Sequence, residues 1–273
     1  MGAGAGWNEV DVEVSSLGPS FSPRSGTGVR ACHVRDRDGR EMPMKGKYMW
    51  KMRFLCTTAM VGWMVGVVHA HFIWIEYDGE RLARAYFGEW AEDVREKAGG
   101  GLDRIKAPRA FLADRTKTLP LERRGDHIEI ALTGAGDVRL VEDGLAARED
   151  ARAGGKTKTV FHAKGGRGDT QAVLDLELIP MVANGSTFTL QLRGQPLAKA
   201  EVKVFGPPKW QKSLRTDDQG RVALETPWAG RYVIEVVHVE EKSGESEGES
   251  YNRLRHVSTL SFVMDQGIAW TGQ

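Results

Sequence analysis

Five histidines follow residue 70, at positions 71, 127, 162, 238 and 256, and they are the side chains here best suited to chemistry. His71 stands in VVHAHFIWIEY (67–77), directly after Ala70. A cut after Ala70 would leave its imidazole beside a free α-amine with a pKa of roughly 8. Amine and ring nitrogen can chelate one metal together, and a second imidazole would complete a three-nitrogen brace suited to copper or nickel. His238 ends a strand-like segment beside the acidic run EEKSGESEGESY (240–251), His256 opens the next one, and Tyr251 lies between them. His71, His238, His256 and Tyr251 are therefore the candidate metal ligands, with nickel or copper as the expected ion. His162 reads as a satisfied mid-strand histidine and His127 as a surface one. The glutamates of the acidic run could hold calcium, but a Gly/Ser/Glu-rich loop reads more simply as solvated.

Other chemistry finds little support. The sequence has no G-x-S-x-G, no H-E-x-x-H, no Walker loop and no cysteine after residue 56, so no catalytic residue and no enzyme activity are expected. The glycine runs at 99–101 and 165–168 lack the strand–helix setting of a phosphate loop and read as turns. Eight tryptophans raise sugar stacking as an alternative to packing. A net charge of +1 favours neither nucleic acid nor an anionic membrane surface as partner.

The segments that position these residues begin with an export signal. Phe54–Val68 is free of charge, Lys45, Lys47, Lys51 and Arg53 precede it, and small Ala70 ends it. That order is the grammar of a secretory signal peptide, and the run is short of the ~20 apolar residues that span a bilayer. Residues 1–43 read as a disordered leader or untranslated stretch, and 44–70 as the signal, so the only expected membrane contact is through an uncleaved signal segment.

After Ala70, alternating apolar runs are separated by turn residues, which is the signature of an all-β chain. HFIWIEY, RLARAYF, HIEIAL, VRLVED, TKTVFHA and VLDLELIP are the expected strands of an N-terminal β domain over 71–183. EWAEDVREKAGG (89–100) has helical spacing and predicts one short helix. Asn184-Gly185 marks a hinge, and STFTLQL, AEVKVFG, GRYVIEVVHVE and HVSTLSFVM build a C-terminal domain over 184–266, with a tail at 267–273.

The pattern G-x-P-L-x-x-A-x-V-x-V, then T-D-x-x-G-x-V, then G-x-Y-x-I-x-V in this second half resembles carboxypeptidase-regulatory or transthyretin-like immunoglobulin-type sandwiches. Together, AHFIWIE, ARAYFGEW, LDLELIP, GQPLAKAEV, WAGRYVIEV, GESYNRLRH and TLSFV are similar to an exported bacterial family of unknown function formerly named NikM-like, after the periplasmic component of nickel transport. The resemblance covers nearly all of 71–264 and implies two β-sandwich domains and export. The old name adds nickel handling and a metal transporter as partner. The expected function is that of a periplasmic or envelope binding protein, with a metal ion as ligand. The alternative is a non-catalytic interaction module that binds protein or polysaccharide.

Overall fold

The computed structural model describes residues 71–77, 79, 81–150, 154–207 and 209–270, so the leader, the signal segment and both cysteines lie outside the described residues. These residues form strands, turns and one 3-10 turn, Gly101–Arg104. Three sheets stack as layers. The first carries Phe72–Glu76, Leu82–Glu89, Ile128–Ala131 and Leu121–Arg123 in that order, with Val94–Arg95 on the end of Leu82–Glu89. The central sheet runs Gln211–Arg215, Glu201–Phe205, Gly230–Glu240, Arg253–Met264, Gly155–Gly165, Val138–Glu142, Arg109–Phe111. The third pairs Leu176–Pro180 with Thr187–Leu192, which also takes Gln195–Pro196 and Arg221–Ala223.

The middle strands of the central sheet are covered on both faces, and period-2 alternation sorts their side chains. Phe161, Ala163, Phe205, Val233 and Val257 pack toward the first sheet with Ile73, Ile75 and Phe87. Val202, Val204, Tyr232, Ile234, Leu260 and Phe262 pack toward the third with Leu176, Leu178 and Phe188. The two expected sandwiches thus share their middle layer, and strands from both sides of residue 184 lie in it. The expected hinge is instead a hairpin connection: Pro180 faces Phe188 in register, and Met181 N–H donates to Thr187.

Three hydroxyls on Arg253–Met264 tie the layers. Among the described residues Phe72–Glu76 is an edge strand that pairs only with Leu82–Glu89, so its outer carbonyls need donors. Thr259 Oγ1 donates to the Ile73 carbonyl at 2.6 Å, and Ser261 Oγ to that of Ile75. On the other face Ser258 Oγ donates to Leu176 at 2.8 Å. Gly165 permits the close approach of the edge strand, because a Cβ there would meet Ile75 Cγ2 at 2.9 Å.

A buried charge cluster fixes one end. The guanidinium of Arg139 reaches Glu177 and Asp169, each at 2.9 Å, while Lys164 Nζ reaches Asp137 at 3.1 Å and Glu177 at 3.3 Å. Asp137 also accepts the amides of Gly168 and Asp169, and Glu177 those of Val173 and Leu174. Every charge is paired, the condition under which burying one is tolerable.

The helix expected over 89–100 does not form. The chain turns at Asp93, whose φ is 55°, and Val94–Arg95 runs back along Gly88–Glu89. Gly88 allows that return, since a Cβ there would collide with the Val94 carbonyl. Arg95 then lies over the Tyr86 ring at 3.9 Å and pairs with Glu76 at 2.7 Å. These tertiary contacts outweigh the weak preference that helical spacing supplies.

Thr259→Val keeps the shape of the side chain and deletes the donor to Ile73. Urea unfolding is expected to show a loss of about 1–3 kcal/mol, the cost of a buried carbonyl left unsatisfied. Thr259→Ser should retain most of the stability.

Candidate functional site

The same alternation decides where the candidate ligands go. His71 opens the strand Phe72–Glu76 of the first sheet, its ring 5.4 Å from that of Phe87. His256 shares the parity of Ser258, Leu260 and Phe262 and so faces the third sheet. His238 is its direct partner in register. The central sheet therefore stands between His71 and the other two histidines, and the brace expected from His71 with His238 or His256 does not fit. Tyr251 sits on the hairpin Gly244–Ser246/Glu249–Tyr251 with its ring against Gly244. Among the described residues no three His, Cys, Asp or Glu side chains group as metal ligands. Residues 244–251 of the acidic run form that hairpin, and three of the run's carboxylates meet cations: Glu240 pairs with Arg193, Glu241 with Arg253, and Glu249 with Lys156.

What His256 meets is His162. Their rings stack at 5.3 Å, with His162 Nε2 3.0 Å from His256 Nδ1. The proton positions follow from the ends of the chain. Arg193 and His256 hold the Glu240 carboxyl down to about 2, so it only accepts, and His256 Nε2–H donates to it at 2.8 Å. His256 Nδ1 is then the acceptor and His162 Nε2–H the donor. His162 Nδ1 is left as a buried lone pair with no partner among the described residues. Burial, and secondarily the neighbouring His256, depresses His162 to about 3. Burial also lowers His256, against the opposing pull of Glu240. The pair is neutral and belongs to the interior.

His71 lies instead at the rim of a cavity of about 250 Å³ between the first and central layers. Its floor is Thr157, Thr159, Phe161 and Arg255 of the central sheet, and its walls are His71, Phe87, Arg104 and the segment Leu145–Arg148. Each wall is fixed. His71 Nε2 lies 2.6 Å from Glu96 Oε1 and its Nδ1 3.4 Å from Glu89 Oε1. Arg104 ends the 3-10 turn, anchored by buried Leu102, and its guanidinium lies 5.8 Å from the Phe87 centroid. The Leu145 carbonyl accepts from buried Lys158, which also donates to Ser246 at 2.7 Å. The residues before it are tied by Glu142, which accepts from Ala107 at 2.9 Å and Gly144 at 2.6 Å while burial pushes its carboxyl up. Arg255 is half-buried, and burial lowers its guanidinium against the attraction of Glu235.

Sequence reasoning found His71 and missed Arg104, Arg148, Arg255 and the two threonines. One signal was available. In R-L-R-H-V-S-T, Arg255 shares the parity of Val257 and Thr259, so an inward strand position carries a charge. Of the tryptophans weighed for sugar contact, Trp74 is core. Trp90 and exposed Trp270 line a second cavity of about 260 Å³ with Phe205, Pro207 and Gln211. His127, expected at the surface, is half-buried and held by Asp126 at 2.6 Å.

The histidine pair makes stability depend on pH. Above the ordinary histidine value of 6.5, His162 is neutral folded and unfolded. Below it, the unfolded chain takes up a proton that the folded chain refuses until about 3, so stability falls as pH drops through that window. The stabilisation through Glu240 is lost later, between its ordinary 4.5 and about 2. His162→Gln keeps a donor for His256 and is expected to flatten the loss between about pH 6 and pH 4, by up to ~1.4 kcal/mol per pH unit. Urea unfolding across that range checks it, and an unchanged slope would assign the acid sensitivity elsewhere.

Among the described residues, no helix is long and apolar enough to cross a membrane. No curated protein matches the chain. The family model described as a domain of unknown function, DUF4198, matches residues 68–240, more than half of the sequence, and takes in His71 and most of the cavity lining. The chain belongs to the DUF4198 family.

Proposed function

We propose that this protein is an exported, non-catalytic binding protein of the periplasm or cell envelope, and that it takes a small ligand in the cavity beside His71. One observation carries the reading: the cavity is walled by fixed side chains from two layers and a tied loop, and is open at one end of the sandwich. At about 250 Å³ it falls just below the roughly 300–1,000 Å³ of pockets for drug-sized ligands. The ligand is therefore smaller than a drug. Export is supported by the basic, apolar and small-residue order of residues 44–70. The lack of nucleophile and metalloprotease motifs in the sequence supports binding over catalysis.

Calorimetry against small organic acids, amino acids, sugars and transition-metal salts tests this. One class is expected to bind, and exposed Ala146→Trp, which sets an indole into the mouth, should weaken it at least tenfold with the circular dichroism unchanged. Binding untouched by Ala146→Trp, or no binding by any class, overturns the site.

A second reading keeps nickel or copper, as an N-terminal His71 and the former NikM-like name suggest. The observation favouring it is Glu89 Oε1, 3.4 Å from His71 Nδ1. After cleavage at Ala70 the amine, Nδ1 and this carboxylate would be three donors in one place. Protein beginning at His71 is expected to bind copper or nickel chloride, and protein with one extra residue ahead of His71 to lose it. Equal binding by both sinks the metal reading.

A further inference from the structure

We infer that the ligand of the His71 cavity is a small organic anion, a carboxylate on an apolar body, and that Arg255 is the residue that grips it. The inference rests on the reading of that cavity as a binding site and adds the class of ligand. Arg104, Arg148 and Arg255 bring positive charge to its lining, and among the described residues none of the lining side chains is acidic. The nearby carboxylates are turned to other work. Glu89 and Glu96 face the His71 ring, Asp150 receives the Thr157 hydroxyl, and Glu235 lies 3.9 Å from Lys203 while acting on Arg255 only through its field. Among the described residues, no carboxylate is within ion-pair distance of the guanidiniums of Arg104, Arg148 or Arg255.

Arg255 is the member of this set set apart by its place. It rises from the inward face of the strand Arg253–Met264, directly opposite Thr159 on the neighbouring strand, and is half-buried. Its guanidinium has given up part of its hydration and has no side-chain partner among the described residues, and its planar fork matches a carboxylate with two parallel N–H···O bonds. Arg104 and Arg148, at the exposed mouth, add attraction at longer range. Beside the hydroxyls of Thr157 and Thr159, the lining includes Phe87, Phe161 and Leu145, so the site offers some apolar contact that inorganic phosphate cannot use and a short organic acid can. The edge strand's His71, held between two carboxylates, closes the rim rather than gripping the anion.

Calorimetry of the exported protein with benzoate, hexanoate, succinate and glucuronate, beside the methyl ester of the best binder and inorganic phosphate, tests the class. At least one acid is expected to bind, with its ester and phosphate each at least tenfold weaker. The Arg255 side chain makes no hydrogen bond within the fold among the described residues, so Arg255→Gln should fold, which circular dichroism checks, and lose at least tenfold in affinity. Arg255→Lys, a point charge without the fork, is expected in between. Failure of all four acids, an ester or phosphate as tight as the acid, or undiminished binding by Arg255→Gln overturns the inference. A neutral sugar or a metal salt that binds and is displaced by Ala146→Trp would overturn the anion while leaving the binding site in place. Silence from every class removes both.

Discussion

The strand Arg253–Met264 is covered on both faces, and the satisfaction of backbone carbonyls by its hydroxyls sets the spacing of the layers. Thr259 and Ser261 supply donors to the open edge of Phe72–Glu76, and Ser258 does so for Leu176. A strand so placed cannot alternate apolar with solvated residues along its middle, because both sides are covered there. It carries small hydroxyls where a facing backbone comes close and large apolar groups where side chains interdigitate. The edge strand in turn can lie so near only because Gly165 has no side chain to stand between them.

That double burial governs the chemistry at each end of the strand. His256 and Arg255 are sequence neighbours, yet the pleat sends them to opposite layers. His256 enters an interior closed by His162, Glu240 and Arg193, where desolvation favours neutral imidazoles and the tautomers are dictated by an ionised carboxylate. Arg255 reaches toward the other layer, where the first sheet and the segment Leu145–Arg148 leave space. On the one face the chain of partners runs from Arg193 through Glu240 and His256 to His162, whose Nδ1 alone is left over among the described residues. The other holds a charge on which the carboxylate of Glu235 acts through its field, without an ion pair among the described residues.

Polar ties hold the chain around that space beside the core residues Phe87, Phe161 and Leu145. Glu142 holds the chain on both sides of the central sheet's edge through the amides of Ala107 and Gly144, and Lys158 caps Leu145. At the far end, the paired charges of Arg139, Lys164, Glu177 and Asp137 pin the glycine-rich turn to the sheet. Removing one member of such a set strands the others in a medium that cannot solvate them, so each cluster acts as a unit.

Much of the fold was legible in the sequence. Period-2 runs such as FIWIE, VRLVE and TFTLQL became strands within a residue or two, because strand faces are written locally in the alternation of side chains. The failures were nonlocal. EWAEDVREKAGG has the spacing of a helix, but the close approach at Gly88 and the contacts of Arg95 made it a returning strand. Asn184-Gly185 was rightly a turn, yet whether a turn joins two domains or one hairpin depends on what the flanking strands pair with. By itself the sequence determined an all-β chain, its strand faces and the donors available. Only the tertiary structure decided that a shared central sheet separates His71 from His238 and His256, and that Arg255, Arg104 and Arg148 meet beside it. Parity along a strand is local, but which layer each face meets depends on the packing of all three sheets.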